Sequence, residues 1–423
     1  MHIPARPRQA PIVAGGLPAD ELAERLRQRL DLPTWPLPLH LLPPGTALVG
    51  GAVRDGLLGR LALQPDLDLV VPTGAIHLCR RLATSLGGSC VVLDRTHDIA
   101  RLVLRGWTID LARQDGAGLE DDLRRRDYTA NAIALPLGGP ARLVDPTGGL
   151  DDLRTARLVA VSEANLQADP LRLLRGVRLS WELGLELEVT SGEWIRRHAA
   201  SLVQVAGERV LTELEKLAAV PEGHGGLIWS LEQGLLSGWG ADPSASGRLR
   251  SFTPEQATAC GLAPLERAWA LPLARLAALL PAEALARLHS SRQLQLRSDR
   301  LRRWWERLEG RPDLEHLPES RRLELQQELE ADLPALLLPL LPAAARGYLT
   351  RWRRQDDPLF HPMPPLNGDQ LQRELGLAPG RQLGDLLHHL TRERAFGRIP
   401  EADPAGRAVA IDTARAWLGR RRD

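Results

Sequence analysis

The run Leu48-Val49-Gly50-Gly51-Ala52-Val53-Arg54-Asp55 and, ten residues on, Pro65-Asp66-Leu67-Asp68-Leu69-Val70-Val71 together decide the fold. A short apolar strand runs into two glycines and then a helical pattern. Glycines at such a turn let the backbone approach a phosphate closely, and a helix start offers N–H donors. Arg54, one turn into that helix, is placed to pair with a phosphate oxygen, and Gly51 to lie against one. In the second run, positions i and i+2 of a strand share a face. Asp66 and Asp68 therefore project together, while Leu67 and Leu69 turn to the core. Two neighbouring carboxylates repel unless a cation lies between them. Hard oxygen ligands suit Mg²⁺, which binds through a few carboxylates, substrate phosphates and water. Each half alone is weak evidence: most Gly-Gly turns are only turns, and most Asp-x-Asp strands are solvated edges.

Working outward, short apolar runs at Cys90–Leu93, Arg101–Leu104, Trp107–Leu111 and Ala130–Leu137 read as further strands, and Ile76–Leu86 reads as a helix. Asp110 lies on one of these strands and is a candidate third carboxylate. Upstream, an amphipathic helix is expected over Ala19–Leu30, flanked by Pro-rich segments. After about Asp151 helical patterns dominate to the end. The expected fold is α+β: a mixed sheet with helices, then an all-helical remainder.

Composition narrows the function. The 423 residues leave room for roughly two to three domains, and a net charge of +1 gives no overall pull toward polyanions. Lys216 is the only lysine. A P-loop, which needs a lysine after its glycines, is therefore excluded. Cys79, Cys90 and Cys260 are far apart and form no CxxC pair, so neither a zinc ribbon nor a disulfide framework is expected. The opening MHIPARPRQAPIVAGG lacks an apolar core of the secretory type, and the longest apolar stretch, Leu333–Ala345, is broken by Pro334, Pro339 and Pro342. A cytoplasmic protein without a membrane span is expected.

Three further motifs are rich in arginine, aspartate and glycine. The first is Leu123-Arg124-Arg125-Arg126-Asp127-Tyr128-Thr129-Ala130-Asn131-Ala132, and the second is Val144-Asp145-Pro146-Thr147-Gly148-Gly149-Leu150-Asp151-Asp152-Leu153 with Arg157. The third is Ala168-Asp169-Pro170-Leu171-Arg172-Leu173-Leu174-Arg175-Gly176-Val177-Arg178. Asp169 suits an N-cap and Pro170 a first helical turn. Arg172, Arg175 and Arg178 recur at i, i+3 and i+6, which predicts a basic stripe able to serve triphosphate, RNA backbone or base edges.

Gly-Gly, a short helix and Asp-x-Asp on the next strand resemble the nucleotidyltransferase superfamily that includes DNA polymerase β. The motifs together look more closely like class II CCA-adding tRNA nucleotidyltransferases and bacterial poly(A) polymerases. Residues 46–220 carry this resemblance strongly. A more moderate likeness to the tRNA-gripping tail runs through Leu366-Asn367-Gly368-Asp369 and Leu383-Gly384-Asp385. The resemblance implies catalysis by Asp66 and Asp68, assisted by Asp110, with Asp66 and Asp68 holding two Mg²⁺. It implies nucleotide binding by Gly51, Arg54, Arg126, Asp169, Arg172, Arg175 and Arg178. Its substrates are tRNA, CTP and ATP. Asp169 and Arg172 match the pair that reads the base: a carboxylate accepts from the exocyclic amine that C and A share, and a guanidinium donates to ring acceptors. Ala168 stands where the family often has Glu, and Tyr128 where it has Phe. Gly207-Glu208-Arg209-Val210 resembles a structural neck helix.

The expected organisation is an N-terminal extension over 1–45, a catalytic head over 46–155, a base-recognising neck over 156–225, a helical body over 226–350 and a tRNA-binding tail over 351–423. Arg302-Arg303-Trp304-Trp305 and Arg351-Trp352-Arg353-Arg354 fit either RNA contact or a helical core. His97-Asp98 has no partner motif, so a metal phosphohydrolase domain is not expected.

Four activities fit the head: addition of CCA, of CC, of A, or of poly(A). Only nine residues separate Arg113 from Leu123, where a C-to-A switching enzyme is expected to carry a longer lever loop. The short spacing favours CC addition, with a separate A-adding enzyme acting next. Both Asp66 and Asp68 are present, against a non-catalytic RNA-binding paralogue.

Overall fold

The computed structural model describes residues 9–308, 314, 317–400 and 404–420. Two compact units divide the chain, the first spanning 1–205 with 233–235, the second 206–232 and 236–423.

The first unit is built on β1 (Ala47–Val49), β2 (Leu67–Val71), β3 (Ser89–Asp94), β4 (Ile99–Leu104), β5 (Trp107–Arg113) and β6 (Ala134–Pro136). They form one mixed sheet in the order β3-β4-β5-β2-β1-β6. β2 and β5 run parallel, and the other pairs are antiparallel. Helices α1 (Ala19–Leu30), α2 (Gly51–Leu57) and α3 (Ala75–Leu86) accompany the sheet. Leu67 and Leu69 are buried as the alternation requires, whereas Asp66 is exposed and precedes the first residue of β2. Asp98 accepts from the N–H groups of Ala75 and Ile76, which caps α3 and gives the His97-Asp98 dipeptide a structural job.

The strand expected over Ala130–Leu137 is shorter than its composition suggests. Thr129–Asn131 forms a single 3-10 turn, and only Ala134–Pro136 pairs with β1. Side-chain bonds hold the turn: Thr129 Oγ1 donates to Asp152, and Asn131 Nδ2 donates to Asp127. A β ladder would pull both side chains out of these bonds.

Past the sheet come α4 (Leu119–Arg124), α5 (Gly149–Arg154), α6 (Glu163–Ala168), α7 (Leu171–Leu183) and α8 (Val189–Arg197). Asp145 accepts from the N–H groups of Gly149 and Leu150 and caps α5. Gly149 is required there, because a Cβ would stand 2.1 Å from the Thr129 carbonyl oxygen.

In the second unit every described element is a helix, from Gly207–Ala219 to Pro404–Gly419. Arg275, 1% exposed on the apolar helix Pro264–Leu279, is a cation buried in its core. The guanidinium donates to the carbonyls of Ala218, Val220, Pro221 and Phe252, closing the end of the helix Gly207–Ala219. Burial pushes its pKa down to about 10, so it stays cationic at neutral pH. Trp304 and Trp305 take the core alternative: both are buried, their indole N–H groups donating to Glu328 and to the Leu336 carbonyl. The terminal helices Gly368–Leu375, Arg381–Ala395 and Pro404–Gly419 share a core of Leu371, Leu386, Leu390 and Ala410. No described helix is long and apolar enough to cross a membrane.

Candidate active site

The site grows from the register of three strands. Val49 of β1 pairs with Asp68 of β2, and Asp68 pairs with Asp110 of β5. The Gly-Gly turn therefore leaves β1 directly beside the Asp68 carboxylate. Gly50 has φ +69°, and a Cβ there would lie 3.0 Å from Asp68 Oδ2 and 3.6 Å from Arg126 Nη1. The missing side chain is what lets a carboxylate and a guanidinium close on the turn.

A cavity of about 310 Å³ opens at this place. Gly50, Gly51, Asp68, Arg126, Asp127, Asn131, Asp169, Arg172 and Arg175 line it, with Asp115 and Arg125. Five of the sequence-expected residues besides Asp68 thus meet in one place: Gly51, Arg126, Asp169, Arg172 and Arg175. The Asp169 carboxylate accepts from the N–H of Leu171, the first residue of α7, at 3.2 Å, while Pro170 stands at the N-cap position the sequence assigned to Asp169. Arg172 Nη1 donates to the carbonyls of Arg125 and Asn165, each at 3.0 Å.

Two arginines are placed differently from the sequence expectation. Arg54 is 6% exposed, and its guanidinium donates to Asp55 at 2.9 Å and Asn131 at 2.6 Å. It ties α2 to the turn at Thr129–Asn131 and does not line the cavity. Arg178 is buried, donates to Glu182 and is not among the lining residues. Helical residues advance about 100° each, so every third position drifts about 60°. By the third arginine the stripe has turned away from the cavity.

A chain of polar contacts links Arg54, Asn131, Asp127 and Arg175. Arg54 donates to Asn131, Asn131 donates to Asp127 at 3.1 Å, and Arg175 pairs with Asp127 at 3.0 Å. Burial would raise the Asp127 carboxyl, but Arg175, the Asn131 amide and the Tyr128 N–H outweigh it and hold it below the usual carboxylate range. Burial pushes the Tyr128 phenol well up, so it remains a donor, and its hydroxyl bonds the Arg172 carbonyl at 2.9 Å. Only the Arg-Asp-Tyr-Thr-x-Asn spacing pointed to this network.

Asp68 is itself in an unfavourable place for a charge. Burial raises its carboxyl, Arg126 opposes the rise, and Asp110 and Asp66 add to it. A cation beside Asp66 and Asp68 would relieve that cost, so this pair fits a divalent ion. Asp110 is adjacent in register but engaged: Arg101 forks onto both of its oxygens at 2.8 and 2.9 Å. Among the described residues no three Asp, Glu, His or Cys side chains converge to hold an ion alone. An ion there would take its remaining ligands from water and a bound phosphate.

A mixed sheet, a Gly-Gly turn against an Asp-x-Asp strand and an arginine-lined cavity define a nucleotidyltransferase head of the polymerase β kind. Residues 46–159 match the poly A polymerase head domain. The CC-adding tRNA nucleotidyltransferase of Synechocystis is 34% identical over 92% of this chain and 97% of its own. That of Geobacter sulfurreducens is 32% identical over 86% and 91%. Among solved structures, the CCA-adding enzyme of Bacillus stearothermophilus in complex with CTP superposes with TM-score 0.67 at 22% identity, covering 96% of this chain and all of that one. The chain belongs to the class II CCA-adding tRNA nucleotidyltransferase family, whose members generally use a divalent metal.

Proposed function

We propose that this nucleotidyltransferase adds the two cytidines of the tRNA 3′ end from CTP and leaves the terminal adenosine to a separate A-adding enzyme. One observation carries the CC-only part. Between the end of β5 and the start of α4 lie only five residues, Gln114–Gly118. They are tied down: the Gln114 N–H donates to the Val71 carbonyl, the Asp115 N–H to Asp122, and the Ala117 N–H to Asp121. Asp115 also pairs with Arg125. A segment this short and this bonded has no slack to swing between two base-selecting states. The CC-adding relatives from Synechocystis and Geobacter sulfurreducens, which align over most of this chain, agree with the reading.

In this reaction the RNA 3′-oxygen bonds to the α-phosphorus of the nucleotide, and pyrophosphate leaves. Mg²⁺, held by Asp66 and Asp68, would lower the pKa of that 3′-hydroxyl and neutralise charge on the triphosphate. The remaining work falls to the chain. Asp169 accepts from the cytosine amine and Arg172 donates to its ring acceptors, so protein takes the place of a template strand. Arg126 and Arg175 supply positive charge beside the phosphates. Gly51 lines the same cavity and leaves room for a phosphate to approach the backbone. Acting on tRNA, the enzyme works in the cytoplasm.

The test is a tRNA transcript ending at the discriminator base, incubated with CTP and ATP together. Extension by two nucleotides and no further is expected. A third residue, adenosine, would overturn CC-only addition, and long adenosine tails on unrelated RNA would point to poly(A) synthesis.

A further inference from the structure

Arg172 must present its guanidinium in one orientation to choose a base, and Ala168, exposed at the end of α6, offers no carboxylate to hold it. Its Nη1 is held by two backbone carbonyls, those of Arg125 and Asn165. The Arg125 anchor depends on one side chain, and the other anchor is the backbone carbonyl of that same residue. The Asn165 amide Nδ2 donates to the carbonyls of Arg124 at 2.8 Å and Arg126 at 2.7 Å, on either side of Arg125. The loop from 124 to 126 is therefore wrapped around the Asn165 amide, which leaves the Arg125 carbonyl aimed at Arg172. Asn165 supplies the second anchor from its own backbone. Its N–H is bound in turn by Ser162 Oγ at 3.1 Å, at the start of α6. These bonds join α6 and α7 to the segment 124–126, and none of them involves Asp66, Asp68, Gly50 or Gly51.

We propose that Asn165 is a positioning residue for nucleotide selection, acting through Arg172. The inference rests on the assignment of Asp169 and Arg172 as the base-reading pair. Cytosine and uracil differ at two adjacent positions: an amine against a carbonyl, and a bare ring nitrogen against an N–H. A fixed guanidinium meets the cytosine acceptors and finds the uracil N–H in its way. A guanidinium that has lost the Arg125 anchor, and is held by the Asn165 carbonyl alone, can turn to the uracil carbonyls instead. Loss of the Asn165 amide therefore costs discrimination more than it costs turnover.

The experiment compares wild type, N165A and N165D on one tRNA primer, measuring kcat and KM for CTP and for UTP, with thermal melting of each protein. The carboxylate introduced by N165D has the same size as the amide but cannot donate to the two carbonyls, so it removes the donors while filling the space. Both variants are expected to lower the CTP-over-UTP ratio of kcat/KM by about ten- to a hundredfold, as for a specificity group loosened rather than removed. Most of that change should come from a gain with UTP. An unchanged ratio in N165D, or equal losses for the two nucleotides, would overturn the proposal even if melting fell. A wild-type enzyme that took UTP as readily as CTP would overturn the base-reading assignment beneath it, and the proposal with it. The two failures are thus told apart by the wild-type ratio alone.

Discussion

Gly176→Ala is expected to destabilise the first unit sharply, although alanine is the better helix former. A Cβ built on Gly176 of α7 would stand 1.8 Å from Tyr128 Oη and 2.4 Å from Cζ, inside a fully buried contact. Neither ring nor helix can give the needed 1–2 Å freely, and overpacking of this kind costs roughly 1–3 kcal/mol. Displacing the phenol also breaks its hydrogen bond to the Arg172 carbonyl, worth about 1 kcal/mol. The gain in helix propensity returns about 1 kcal/mol. The clash is at the severe end, so a net loss of about 3 kcal/mol is expected, or a fall in Tm of roughly 6–12 °C for a unit of this size. Melting followed by circular dichroism measures it. Tyr128→Phe alone should cost about 1–2 kcal/mol through the lost bond. In the double variant the nearest ring atom is farther away, so its loss should fall short of the sum of the two single losses by about 1 kcal/mol. Strict additivity, or a Gly176→Ala protein melting like wild type, would refute the packing argument. The same variant should raise KM for CTP, because α7 carries Arg172.

Asp66→Ala and Asp68→Ala should each abolish nucleotide incorporation while leaving Tm nearly unchanged; desolvation raises the half-buried Asp68 carboxyl, so its removal relieves a cost. A radiolabelled CTP assay beside a melt checks both. Asp127→Asn should flatten the acid limb of the stability curve. The native Asp127 carboxyl lies below its unfolded value, so its contribution is present above about pH 4 and lost as pH falls through the depressed native value. Urea unfolding between pH 3 and 7 should show wild type losing stability more steeply than the variant. Arg275→Met should cost about 3–5 kcal/mol, since three buried carbonyl groups and one part-buried one lose a charged donor. The second unit should melt earlier with CTP binding retained.

Much of the site is legible in the amino-acid order because its parts are local. Gly50-Gly51 followed by Asp66-x-Asp68 places turn and strand by spacing alone, and Asp169-Pro170 announces a helix start. The parts that escaped are set by long-range packing. Nothing in the sequence says that β5 lies beside β2 in register, or that Arg101 on β4 then reaches both oxygens of Asp110. Arg54 looks like a phosphate ligand because it follows two glycines, but Asn131, 77 residues away, claims it. Arg178 continues the stripe in spacing but not in direction. Arg275 does carry a signal of its own: it sits in Leu273-Ala274-Arg275-Leu276-Ala277-Ala278, and a lone charge within an apolar helix usually has buried partners.

The most direct test of the central claim is a crystal of the enzyme grown with CTP and Mn²⁺, using the metal's anomalous signal to locate it. The ion is expected between the Asp66 and Asp68 side chains, with the cytosine edge against Asp169 and Arg172. A metal peak away from both carboxylates, or CTP bound outside the cavity lined by Asp68, Arg126 and Arg172, would contradict it.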